Sequence, residues 1–312
     1  MNRSVSIVMY HYVRDLEHSR FPAIKGLSLD RFRRQLDHIQ AHYTPIRVED
    51  LMEAVASPDA KLPPNAILLT FDDGYSDHFQ NVFPLLDARG IQGCFFPSAL
   101  AVRDHVVLDV NKIQFVLAAA NDVDELLDQT LAILDEFRSQ FDLKTGEEYR
   151  ALPVEEHRYD PREVIVWKRL LQRELPEQVR AEIVQRLFAR YVTTDEAAFA
   201  SELYLSLDQI GCMHRHGMHF GSHGYSHVWF NHVAYAIQAQ EVDRSLDFLE
   251  ETGVSTDRWT MCYPYGGFDS STLEIVDRRK CALGFSVEPK VADLTIDHRL
   301  TLPRIDTNDL PS

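Results

Sequence analysis

The stretch Leu68-Leu69-Thr70-Phe71-Asp72-Asp73-Gly74-Tyr75 constrains this chain more than any other. Ala66 to Phe71 is a short apolar run without helical period, so it reads as a buried strand. The strand runs into two adjacent carboxylates, Asp72 and Asp73, before Gly74 lets the backbone turn sharply. Two acidic groups at the mouth of a core strand cost desolvation energy, and a metal ion or a reacting proton compensates that cost. Asp-Asp-Gly is also ordinary acidic-turn chemistry, and the stretch taken alone leaves both readings open.

Around this strand the hydrophobic pattern alternates between strand and helix. Val5 to Met9 reads as a first strand, with Tyr10-His11-Tyr12 at its carboxyl end. Ser28 is placed to cap a helix whose apolar stripe is Leu29, Phe32, Leu36 and Ile39. A short strand at Pro45 to Val48 and a helix from Glu49 to Ala56 precede the central strand. A helix over Ser76 to Arg89, closed by Gly90, and a strand over Ile91 to Phe96 follow it. The alternation stops between about 106 and 206, where Leu126, Leu127, Leu131, Leu134 and Phe137, then Val179, Ile183, Leu187 and Tyr191, repeat at helical spacing. It resumes with strands at Met218 to Ser222, Trp259 to Tyr263 and Ala282 to Val287, separated by helices over Tyr235 to Glu251 and Ser270 to Arg279. The expected architecture is therefore one parallel β/α domain spanning 1–312 with a mostly helical insertion.

Charge narrows the function classes. With 32 basic against 48 acidic side chains, the net charge of −16 lacks the basic footprint that nucleic acid or an anionic membrane requires. Cys94, Cys212, Cys262 and Cys281 form neither a Cys-x-x-Cys pair nor a zinc-ribbon spacing, and they read as reduced core thiols. No apolar run is as long as a membrane span, and the N-terminus enters the apolar segment Val5 to Val13 without a small-residue cleavage site; both point to the cytoplasm.

Two further constellations lie at strand ends. In His223-Gly224-Tyr225-Ser226-His227, imidazoles four residues apart share a face if the segment turns helically, and both can then reach one divalent ion. Two His and a carboxylate, with positions left for water, make a catalytic rather than a structural metal site. His214, His216 and His219 are close by in sequence, so a His-rich surface stretch explains the pair without any metal. Tyr263-Pro264-Tyr265-Gly266 follows a strand, where a rigid turn can aim a backbone N–H at a developing oxyanion or simply end the strand.

In this order, Thr-Phe-Asp-Asp-Gly, His-x-x-x-His and Pro-Tyr-Gly resemble the polysaccharide deacetylase family with the NodB homology domain, carbohydrate esterase family four. Met9-Tyr10-His11 and Leu302-Pro303-Arg304 are similar to its opening and closing segments. The resemblance covers about Val5 to Phe96 and Leu207 to Arg304. It implies a distorted (β/α)7 barrel with its site at the carboxyl ends of the strands. It also implies Asp72 as general base, Asp73, His223 and His227 as ligands of one divalent ion, most simply Zn2+, the Tyr265 N–H at the oxyanion and His11 against the substrate.

Three departures from the family pattern stand out. Cys262 occupies the place of an Arg that pairs with the catalytic Asp, and Arg304 is the candidate to supply that cation from the last strand. Gly224 replaces a Ser or Thr. The late Leu-x-His segment that commonly supplies the acid is not evident, which leaves His298 and His11 as nearest candidates. The implied reaction is removal of an N-acetyl group from an amino sugar. A cytoplasmic location points to a nucleotide- or lipid-linked precursor of a surface glycan, such as lipopolysaccharide O-antigen or capsule. The competing readings are a non-catalytic sugar-binding or scaffold protein that kept the metal triad, and a metal hydrolase of another amide or ester.

Overall fold

A computed structural model describes residues 3–57, 59–154 and 160–311. Its strands are β1 (Ser4–Tyr10), β2 (Val13–Arg14), β3 (Leu27–Ser28), β4 (Thr44–Pro45), β5 (Ala66–Asp73), β6 (Gly93–Pro97), β7 (His219–Phe220), β8 (Thr260–Cys262), β9 (Leu283–Phe285), β10 (Ala292–Asp293) and β11 (Ile305–Asp306). β5 is buried at every position, because both of its faces are covered, and this is why its sequence is a continuous apolar run instead of an alternating one.

The parallel pairings form a ring. β5 lies between β1, in register from Ser6↔Ile67 to Tyr10↔Phe71, and β6, from Leu69↔Gly93 to Asp73↔Pro97. β7 follows β6, the bridge Ser222↔Met261 joins β7 to β8, and β8 pairs with β9. Phe285↔Leu302 carries the ring to the last strand, and β11 returns it to β1 through Val8↔Ile305. Seven parallel strands thus close a barrel whose seams at Ser222 and Leu302 are single bridges, which is the distortion. Tyr10, Phe71, Phe95 and Phe220 stack in sequence along its outer face, with ring centroids 4.8–5.5 Å apart, and Phe32 of helix Leu29–His42 packs edge-on against Tyr10 and Phe71. The alternate residues Leu68, Cys94, Phe96, Cys262, Leu283, Phe285 and Leu302 pack together inside.

Helix Leu29–His42 starts as expected, with Ser28 accepting the Arg31 N–H, and buries Phe32, Leu36 and Ile39. The chain after Gly74 differs from the expected continuous helix. A π-type turn, His78–Val82, precedes a short α-helix, Phe83–Asp87. Pro84 has no N–H for the Gln80 carbonyl, so the regular ladder cannot run through this point, and Phe83 donates instead to His78, five residues back. β10, antiparallel to β1, and the small β2–β3 pair have no periodic signature because each is two residues long. Cys94, Cys262 and Cys281 are buried free thiols, but Cys212 is only half-buried, on the partly solvated face of helix Leu207–Arg215.

The chain divides into two compact units. One comprises 1–16, 26–106 and 200–312 and contains the barrel; the other comprises 17–25 and 107–199. The second is helical, with Asp109–Ala119, Val123–Asp135, Arg162–Arg169 and Glu177–Tyr191 as its longer helices. Leu126, Leu127, Leu131, Leu134, Val179, Ile183 and Leu187, which repeat at helical spacing in the sequence, are buried in it. Phe21, from the short segment, packs edge-on against Phe115 and Phe199. No helix among the described residues is long and apolar enough to cross a membrane.

Candidate metal centre and its surroundings

In a regular strand Asp72 and Asp73 would point to opposite faces. Asp73 instead has φ 69° and Gly74 φ 73°, and this left-handed pair breaks the alternation at the carboxyl end of β5. Both carboxylates therefore face His223: Asp73, His223 and His227 converge in one group, and Asp72, His223 and Cys262 in an overlapping one. Left-handed backbone recurs at His227, φ 61°, and at Tyr265, φ 57°. Such conformations cost about 1–3 kcal/mol each in a non-glycine residue, and their concentration here marks a site that the rest of the fold holds in place.

The histidine pair does not sit on a helix. His223 to His227 is an irregular loop after β7, turned by Gly224 at φ 71° and by His227 itself. The two rings meet without the helical turn that the spacing implies, because a loop can also bring residues i and i+4 together. The rings lie 4.9 Å apart. His223 Nε2 is 3.3 Å and His227 Nε2 3.2 Å from the same oxygen, Asp73 Oδ1.

The donor set fits a divalent cation. His223 Nδ1 is 2.7 Å from the Cys262 carbonyl oxygen, which can only accept, so Nδ1 carries a proton and Nε2 is the nitrogen turned to Asp73. In metal-free protein burial opposes charging of the ring, yet its partners Cys262 and Asp73 hold His223 well above the usual imidazole range. Asp73 Oδ1 is buried without a hydrogen-bond partner among the described residues. A buried carboxylate oxygen in this place needs positive charge beside it, which either a second proton on the imidazole or a divalent ion held jointly by Asp73 Oδ1 and the two Nε2 atoms supplies. The other oxygen, Oδ2, accepts the Tyr75 hydroxyl at 2.5 Å, which leaves Oδ1 as the ligating atom. Tyr75 is fully buried and stacks on Tyr12 with centroids 3.9 Å apart.

Asp72 stands beside this group and is held from the opposite side. Arg304, 1% exposed, donates from Nη1 to Oδ1 and from Nη2 to Oδ2, both at 2.8 Å. Two more of its donors reach Thr70 Oγ1 at 3.1 Å and the Ser286 carbonyl at 2.9 Å, which fixes the guanidinium in place. Burial opposes ionisation of Asp72, yet the charge and hydrogen bonds of Arg304 overcome it and hold the carboxyl at about 2. Burial pushes the Cys262 thiol up, so it stays protonated and donates to Asp72 Oδ1 at 3.3 Å. Cys262 and Arg304 thus meet on one carboxylate from two different strand ends.

The remaining residues singled out in the sequence are placed as follows. His11, directly after β1, is half-exposed, with Nε2 3.9 Å from Asp72 Oδ2. Tyr265 lies in the turn after β8, its ring 4.6 Å from His227 and stacked on Trp229 at 4.2 Å. His298 is in the turn before Leu300 and accepts the Leu300 N–H through Nδ1; it has no contact with the converging group among the described residues. Tyr75 and Trp229 were not singled out as site residues, although Tyr75 directly follows the Asp-Asp-Gly motif and Trp229 stands two residues after His227.

The polysaccharide deacetylase family model matches residues 59–133 and 187–282, more than half of the chain. The fold is similar to that of the Streptococcus pyogenes deacetylase PplD in complex with acetate, with a TM-score of 0.58 and 16% identity over 97% of this chain and 92% of that one. It is also similar to IcaB from Ammonifex degensii, with a TM-score of 0.57 and 18% identity over 98% and 93% of the two chains. A third likeness is the BpsB deacetylase domain from Bordetella bronchiseptica, with a TM-score of 0.55 and 15% identity over 97% and 96%. No curated protein matches.

Proposed function

This chain belongs to the polysaccharide deacetylase family, and from that premise we propose that it hydrolyses the N-acetyl group of an amino sugar at one divalent ion, most simply zinc. Asp73, His223 and His227 would hold the ion, which when bound acidifies water toward neutral pH and polarises the acyl carbonyl. The observation that carries the reading is Asp72: a buried carboxylate beside the ligands, clamped by Arg304 and thereby kept ionised. A purely structural metal site has no use for such a group, which disfavours the non-catalytic alternative.

In this reading Asp72 takes the proton of the attacking water, and Arg304 and Cys262 keep its carboxylate aimed. The Tyr265 N–H faces the developing oxyanion from a turn fixed by the Gly266 and Gly267 N–H groups, each 2.9 Å from its acceptor carbonyl, Tyr263 and Pro264 respectively. His11, half-exposed and close to Asp72, contacts the substrate and is the nearest group able to protonate the leaving amine. The finer part of the proposal is a nucleotide- or lipid-linked precursor of a surface glycan as substrate.

The test is acetate release from a panel of N-acetylated sugar nucleotides, lipid-linked sugars and free oligosaccharides, with metal content measured alongside. Asp72→Asn is expected to keep its metal and lose about two to four orders of magnitude in turnover. Loss of metal in Asp72→Asn, with retention in Asp73→Asn, would reverse the two roles. Acetate release from free oligosaccharides alone would refute the carrier-linked substrate.

A further inference from the structure

The loop between the two histidines has an unusual support. A helical His-x-x-x-His segment would satisfy its own N–H groups, but this one is irregular and passes them to another element. Tyr225 N–H and Ser226 N–H both donate to Glu241 Oε2, at 2.9 and 2.7 Å, and the Ser226 hydroxyl donates to Glu241 Oε1 at 2.6 Å. Glu241 is 6% exposed, in the middle of helix Tyr235–Glu251. Its helix turns Gln238, Glu241 and Ser245 inward at helical spacing, a polar stripe where an apolar one would ordinarily pack.

Ser245 continues the support, since its hydroxyl is 2.6 Å from Ser222 Oγ, which accepts the Gly224 N–H at 3.1 Å. The Tyr225 carbonyl is held from the other side by Ser98 Oγ at 2.9 Å and the Leu100 N–H at 2.8 Å. The space is closed as well: a Cβ at Gly224 would stand 3.3 Å from Glu241 Oε2 and 3.2 Å from Phe230. The Tyr225 side chain is tied separately, its hydroxyl donating to Asp104 Oδ2 at 2.7 Å, but the Tyr225 and Ser226 N–H groups both end on the one buried Glu241 carboxylate, in charge-assisted hydrogen bonds.

We infer that Glu241 is a positioning residue for the metal centre: its carboxylate fixes the 224–226 backbone and thereby sets the separation and orientation of His223 and His227. This rests on the metal reading given above. Glutamine at 241 offers one accepting oxygen and an NH2 group that faces donors, so the backbone loses part of its template while the volume is kept. Fixing ligand geometry through such outer partners is typically worth about 10–100-fold in metal affinity.

The test titrates metal-free protein with cobalt(II), read by visible absorption, in the wild type, Glu241→Gln, Ser226→Ala and His227→Ala. Thermal unfolding of each metal-free protein is recorded in parallel. Glu241→Gln should bind cobalt about 10–100-fold more weakly, with an altered ligand-field spectrum, while its metal-free form unfolds as a cooperative native protein. Ser226→Ala, which keeps both N–H bonds, should lose less. Wild-type affinity and spectrum in Glu241→Gln, with His227→Ala losing cobalt, would overturn the inference and leave the metal reading intact. A wild type that binds no cobalt would overturn both. If Glu241→Gln does not fold, equal cobalt affinity in Ser226→Ala and the wild type, with identical spectra, overturns the inference.

Discussion

Asp72 and Arg304 form a buried pair whose two hydrogen bonds are parallel and short, and removing either partner leaves the other charged and unsatisfied. Arg304→Ala should therefore cost about 3–5 kcal/mol of stability and lower turnover strongly, with metal content unchanged. Adding Asp72→Asn should cost little further activity, because residues that act as one unit are non-additive; a fully additive double variant would contradict the pairing. The pair also sets an acid limit. A depressed carboxyl contributes stability that is present above its unfolded pKa, ~3.9, and is lost as pH falls toward the folded value of about 2. In metal-free protein, denaturation midpoints between those pH values should fall more steeply for the wild type than for Asp72→Asn, and parallel curves would contradict this. Tyr75 acts on the neighbouring ligand. Tyr75→Phe frees Asp73 Oδ2, and metal affinity by titration should drop about tenfold or more if that hydrogen bond orients the carboxylate.

At the scale of elements, the carboxyl end of β5 depends on a turn that tolerates no side chain. A Cβ at Gly74 would stand 2.5 Å from Pro97 Cβ and 2.8 Å from its Cα, in a backbone with φ 73° that only glycine adopts without cost. Gly74→Ala should thus destabilise by at least about 1–3 kcal/mol and weaken metal binding, since Asp73 is the preceding residue. An unchanged denaturant midpoint would show that β5 and β6 can part without loss. The π-type turn that follows has its own ties, with Asn81 Nδ2 donating to the Val13 carbonyl at 2.8 Å and Asp77 Oδ2 accepting the Val13 N–H at 3.2 Å. Burial lowers His78 to about 4, so its ring is neutral at ordinary pH, and its Nε2 lies 3.0 Å from the His11 carbonyl oxygen. The segment that carries His11 is in this way fastened to the turn after the Asp-Asp-Gly motif.

For the molecule as a whole, an ion bound only in the native state adds stability by mass action, about 2.7 kcal/mol at a hundredfold excess over its dissociation constant. Chelation should therefore lower the thermal midpoint of the wild type but not that of a His223→Ala, His227→Ala double variant; an equal response in both would sink the assignment of the ligands. Much of this architecture is readable in the sequence alone. Apolar runs such as Ala66 to Phe71 specify buried strands because parallel strands covered on both faces need no polar positions, and adjacent motif residues such as Asp72, Asp73 and Gly74 carry their chemistry locally. The Arg304–Asp72 pair is legible only as a candidate, through the gap at Cys262, and its bidentate geometry depends on the tertiary structure; so does the placing of Cys262 between Asp72 and His223 and of Glu241 under the histidine loop. No periodicity encodes these. A hydrogen bond across 232 residues depends on barrel closure at the Leu302 seam, and a Glu on the inward face of a helix looks like any solvated charge until the loop it holds is packed against it.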